Sequence, residues 1–83
     1  MNTIMVILID KRTDDALKVQ EILTENGCII ETRLGMRESG TCGEEGLIVL
    51  KLNGPDEDIA GLKEELGELN RVQVKMMELK FDD

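Results

Sequence analysis

The residues of this chain best suited to chemistry are Arg33, Gly35 and Arg37, which open the stretch RLGMRESGTCGEEG (33–46). A guanidinium binds carboxylate or phosphate through two parallel hydrogen bonds. A glycine between two arginines lets a ligand or a second chain approach the backbone. Together they form a candidate ligand-binding set. The competing reading is a flexible hairpin tip whose arginines soften an acidic surface. Four of the chain's eight glycines fall in this stretch, and a connection this long in a small domain is more often functional or disordered than incidental. Residues 38–46 are expected to be mobile, with Cys42 solvent-accessible. Cys42 is a candidate reactive thiol beside Arg37, although no base accompanies it. Cys28, at the start of a predicted strand, is expected to be buried as a small hydrophobe.

Other chemistry is excluded by residue type. The chain has no histidine, which removes the commonest general base and transition-metal ligand. Two cysteines separated by thirteen residues are not a CxxC pair and cannot ligate a conventional iron–sulfur cluster. No P-loop, dinucleotide fingerprint or serine nucleophile elbow occurs. The acidic runs Asp56–Asp58 and Glu64–Glu65 read as a helix start and a solvated face, without the ligand spacing of a cation site. Met76 and Met77 read as core or interface. No catalytic residue, metal or cofactor is predicted, and the chain is expected not to be an enzyme.

The totals narrow the class of partner. Eighty-three residues make one domain, 1–83, with a thin core. The net charge is −8 and there is a single aromatic residue, Phe81. Phosphate backbones repel such a surface, and no base-stacking platform is available. Neither nucleic acid nor an anionic membrane is an expected partner. The apolar run Ile4–Ile9 is too short to span a bilayer and no basic region precedes it. A cytoplasmic location with reduced thiols is expected.

The elements that must position these residues are legible from periodicity. TIMVILI is apolar without interruption, a strand buried on both faces. DALKVQEILTENG places Ala16, Val19, Ile22 and Leu23 on one helical stripe, with Thr13 or Asp14 as cap and Gly27 as the left-handed residue that closes it. CIIETRL is a strand with one wet face or an edge position, Ile30, Thr32 and Leu34 sharing a side. GLIVLKL (46–52) is a third strand. Pro55 and three acids start a second helix with Ile59, Leu62, Leu66 and Leu69 as its stripe; Gly61 and Gly67 within it are expected to mark close packing on the sheet. RVQVKMMEL is the fourth strand.

The order βαββαβ is the ferredoxin-like, split-βαβ pattern of an α+β fold. Two right-handed crossovers place both helices on one face of a four-stranded antiparallel sheet, the first and third strands central. The glycine-rich connection is expected to lie away from the helix-covered face. The sheet's second face would then expose Ile, Leu, Val and Met, a patch that soluble monomers avoid. A homo-oligomer through sheet face or edge is therefore expected.

With these elements in place the chain resembles the iron-only hydrogenase system regulators, an ACT-like family similar to the C-terminal domain of nickel-responsive repressors. The resemblance covers nearly the whole chain. It is carried by DALKVQEILTENG followed by IIETRLGMRE, by GLIVLKLNGPDEDIAGLKEELGEL, and by VQVKMMEL. It implies a ferredoxin-like fold, oligomers and a regulatory role linked to hydrogenase maturation. Two departures stand out. MRESGTCGEEG is richer in glycine than the family's turn. The absence of histidine prevents carrying over the repressors' nickel site, and no ribbon–helix–helix segment is expected before the first strand. The function expected is a stand-alone, small-ligand-sensing ACT-like regulatory module. The alternative is a protein-interaction or assembly subunit without a small ligand.

Overall fold

The structure, a computed structural model, describes residues 2–37 and 44–82, the side chain of Arg37 excepted. Four strands, β1 (Asn2–Asp10), β2 (Ile30–Arg37), β3 (Glu45–Leu52) and β4 (Val72–Leu79), alternate with two helices, α1 (Asp15–Glu25) and α2 (Asp56–Gly67). The sheet is antiparallel in the order β2-β3-β1-β4. The two uninterrupted apolar strands are central and the two charged ones lie at the edges, as their composition requires.

Alternation decides which half of each strand is covered. Met5 and Ile7 on β1 and Leu50 on β3 meet Val19 and Leu23 of α1 and Leu62 and Leu66 of α2 in a core closed to solvent. Across the sheet the register aligns Leu34 with Val49 and Val49 with Val6, and Met36 with Leu47 and Leu47 with Leu8. This second face has no covering layer among the described residues. Leu8, Leu34, Met36 and Met77 are exposed on it.

Local departures from the sequence reading cluster at the start of β2. The chain leaves α1 through a 3-10 turn, Gly27–Ile29. Gly27 is not left-handed; it begins the turn, and the helix ends on Asn26, whose amide side chain bonds back to the Ile22 carbonyl at 2.8 Å. The turn sends Ile29 into the core and leaves Cys28 exposed, which corrects the expectation of a buried thiol. A bulge between Ile30 and Thr32 then shifts the register. Ile30 pairs with Leu52 and joins the core, while Thr32 and Leu34 turn to the open face, so the three do not share one side. At α1 the Thr13 hydroxyl bonds the Asp10 carbonyl instead of the helix, and Asp14 occupies the cap position without a side-chain bond.

The α2 glycines also differ from expectation. A Cβ added at Gly61 or Gly67 meets nothing within 4 Å, so neither marks close packing. The glycine that does is Gly54, where a Cβ would stand 2.6 Å from Ile29 Cγ2. Gly54 allows the β3–α2 connection to pass over the 3-10 turn.

Candidate functional site

Strand β2 continues through RLGMR to Arg37, so these residues are strand and not turn. Their alternation follows from the bulge. Arg33 pairs with Leu50 and Gly35 with Ile48, both on the core side, so Arg33 and Gly35 face α1. The expected placement away from the helix-covered face is thereby corrected. The physical cause is the extra residue at the bulge, which exchanges the two sides of the strand.

At this edge α1 stops short of covering the sheet. A cleft of about 380 Å³ lies between the first turns of α1, the end of β1 and the β2–β3 hairpin. That volume is at the small end of ligand sites. Ile9, Ala16 and Ile48 contribute apolar wall; Lys11, Gln20 and Arg33 contribute polar heads. The Arg33 guanidinium donates a hydrogen bond to the Gln20 side-chain oxygen, which holds it across the gap from β2 to α1. Gly35 and Gly46 line the same cleft. Lys11 lies along Gly46, its Cδ 3.2 Å from where a Cβ would be. Two glycines on adjacent strands keep the floor open, and the lysine stem uses that space. The arrangement presents two cations and an amide over an apolar floor, which suits a small anion with an apolar portion.

Of the residues singled out in the sequence, Arg33 and Gly35 come together in this cleft. Arg37 ends β2 opposite Gly46; its side chain, and the whole of Cys42, lie outside the described residues. Lys11 and Gln20 were not anticipated. Lys11 reads in sequence as part of a polar connection and Gln20 as the solvated side of α1. The available signal was register: once β1 and β2 both flank β3, the residue after β1 must approach the end of β2.

A second polar cluster caps the open face. The Asp10 carboxylate, 9% exposed, accepts Arg12 Nε at 2.9 Å and Nη2 at 3.0 Å, the Arg12 backbone N–H at 3.0 Å, and Arg71 Nε at 3.0 Å. The Arg12 guanidinium first, then its backbone N–H and Arg71, hold this carboxyl well below the usual carboxylate range, against a smaller opposing effect of desolvation. The cluster ties β1 to the start of β4 and is saturated by its own partners.

The model of the TM1266-like family, "Iron-only hydrogenase system regulator, putative", matches residues 2–76. The chain belongs to this family. The solved TM1266 protein of Thermotoga maritima is 26% identical, with a TM-score of 0.85 over 95% of this chain and 96% of that one. Two further structures share the fold at lower identity. A PII-like nitrogen regulatory protein of Thiomonas intermedia, solved with ADP, AMP and bicarbonate, is 11% identical with a TM-score of 0.58, covering 96% of this chain and 91% of that one. Prephenate dehydratase of Streptococcus mutans is 19% identical with a TM-score of 0.62, covering 90% of this chain and 40% of that one. No curated protein matches the chain. The chain thus has the ferredoxin-like fold, with the sheet order β2-β3-β1-β4, that it shares with these ACT-like neighbours. Among the described residues no group of three or more Cys, Asp or Glu could hold a metal ion, and no helix is long and apolar enough to cross a membrane.

Proposed function

We propose that this chain is a stand-alone regulatory module, without catalytic activity of its own, that senses a small anionic ligand and acts in the cytoplasm on the iron-only hydrogenase system. The observation that carries the reading is the cleft between α1 and the β2–β3 edge, where Arg33, Lys11 and Gln20 stand over an apolar floor opened by Gly35 and Gly46. Membership of a hydrogenase regulator family supports the regulatory half. The nucleotides and bicarbonate bound to the PII-like neighbour support anions as a class for this fold. Arg37, at the end of β2, stays a candidate contributor.

The test is a thermal-shift and calorimetric screen with nucleotides, amino acids, small carboxylates, bicarbonate and inorganic phosphate. The expected result is saturable stabilisation by an anion, lost in Arg33→Ala and weakened in Lys11→Ala. No shift across the panel, or a shift that Arg33→Ala leaves intact, would overturn it. The open apolar face favours a second reading, an assembly subunit without a ligand. Co-purification of a hydrogenase maturation factor with a protein that answers to no ligand would support that one.

A further inference from the structure

We infer that the ligand of the cleft between α1 and the β2–β3 edge is a two-headed anion, a dicarboxylate with an apolar spacer, held by Arg33 at one end and Lys11 at the other. The inference rests on the ligand reading above and narrows it from a small anion to one with two charged ends. Its first support is charge. The chain carries 18 acidic residues against 10 basic ones, yet among the described residues the cleft is lined by two cations and no acid. Arg12, Lys18, Lys51 and Arg71 each pair with a carboxylate of this chain. Arg33 instead bonds the neutral amide of Gln20, and among the described residues neither it nor Lys11 enters an ion pair. A monoanion would neutralise one of these cations; a dianion neutralises both.

The second support is spacing. Arg33 stands opposite Leu50, and the Lys11 stem lies along Gly46. Leu50 and Gly46 are four residues apart on β3, about 14 Å at the rise of an antiparallel strand. Each cationic head stands about 2.8 Å from the oxygen it binds, which leaves about 8 Å between the two ends of the ligand. An extended hydrocarbon chain advances about 1.25 Å per bond, so about six to eight carbons, carboxyl groups included, cover that length. Between the heads the floor is Gly35 and Ile48, with Ile9 and Ala16 beside them. Methylene groups bury there favourably, and a polar spacer would lose its water without a partner. The two ends also differ. Arg33 carries five N–H donors and gives one to Gln20, whose own NH2 adds two more, so this end takes a carboxylate as a fork. Lys11 acts as a point charge on a flexible stem and tolerates a range of lengths.

The experiment is calorimetric titration of the full chain at fixed ionic strength with succinate, adipate and suberate, the monoacids hexanoate and octanoate, and inorganic phosphate. Adipate or suberate is expected to bind about tenfold tighter than the monoacid of equal length, and succinate, too short to reach both heads, to fall to the monoacid level. Lys11→Met keeps a stem along Gly46 and removes the charge. In it the diacid should bind only as the monoacid does, with monoacid affinity unchanged. Arg33→Gln should weaken diacid and monoacid alike. Both side chains are exposed, so these variants keep the fold, which unfolding temperatures verify. Gly35→Val fills open space in the floor and should exclude the spacer of either diacid. Equal affinity for diacid and monoacid at each length overturns the two-headed inference and leaves the anion reading standing. So does diacid binding that Lys11→Met leaves undiminished, or Arg33-dependent binding of phosphate with none of any diacid. If nothing in the panel binds, the inference and the anion reading beneath it fall together.

Discussion

The guanidinium of Arg71 lies 2.9 Å from the carboxylate of Asp10, and this contact fastens the residue before β4 to the last residue of β1. Because Arg12 grips the same carboxylate, protonating Asp10 loosens two connections at once. The folded-state pKa is depressed below the unfolded value of about 3.9. Its stabilisation is therefore complete above that value and lost as pH falls through and below it. Asp10→Asn should lower the unfolding temperature at neutral pH. The gap between variant and wild type should close as pH drops from about 5 toward 2. Melting curves across that range check this; a gap of constant size would show that Asp10 acts through packing alone.

Gly61 and Gly67 lie in α2 with open space where a side chain would be. Gly61→Ala should stabilise the fold by about 0.5–1 kcal/mol, and Gly67→Ala, in the last helical position, by about half as much. Urea denaturation midpoints measure both.

Gly54 behaves in the opposite way. A methyl there collides with Ile29 Cγ2, and Gly54→Ala should destabilise by about 1–3 kcal/mol. Ile29→Leu removes the branching methyl. The double-mutant cycle should show that Gly54→Ala costs less in that background.

Cys28 is exposed on the 3-10 turn. In a Cys42→Ser background the native protein should react with a maleimide at close to the rate of an unfolded control. Slow labelling that speeds up only in denaturant would restore the buried thiol that the sequence suggested.

Gln20 positions Arg33 rather than adding charge. For an anion identified by the screen, Gln20→Ala should weaken binding several-fold and Arg33→Ala by tenfold or more, because a fixed guanidinium fork loses less freedom when it binds. Arg33→Lys, which keeps the charge and lacks the fork, should fall between them. Calorimetric titration of the three variants orders them.

The sheet order and both helices were legible because period-2 and period-3.6 patterns are long in this chain, and because charge interrupts the edge strands but falls only near the ends of the central ones. What was not legible traces to one inserted residue. The bulge after Ile30 reverses the sides of β2, so Arg33 reads as outward in sequence and stands under α1 in the fold. The 3-10 turn before it exchanges the roles of Cys28 and Ile29. Neither feature leaves a periodic trace. Lys11 and Gln20 escaped for another reason: each lies on the polar side of its own segment, and only the packing of three segments brings them to Arg33.

Met36 and Leu47 pair across the β2–β3 hairpin, and both also border the cleft. The hairpin is thus a wall shared by two compartments, each able to bias its position. An anion that shifts it toward α1 would change how well the opposite surface meets a second chain. Thermodynamic linkage then requires that self-association change the affinity for the anion in the same sense as the anion changes self-association, so the apparent affinity would vary with dilution. A regulator built this way would read its own cellular abundance together with its effector.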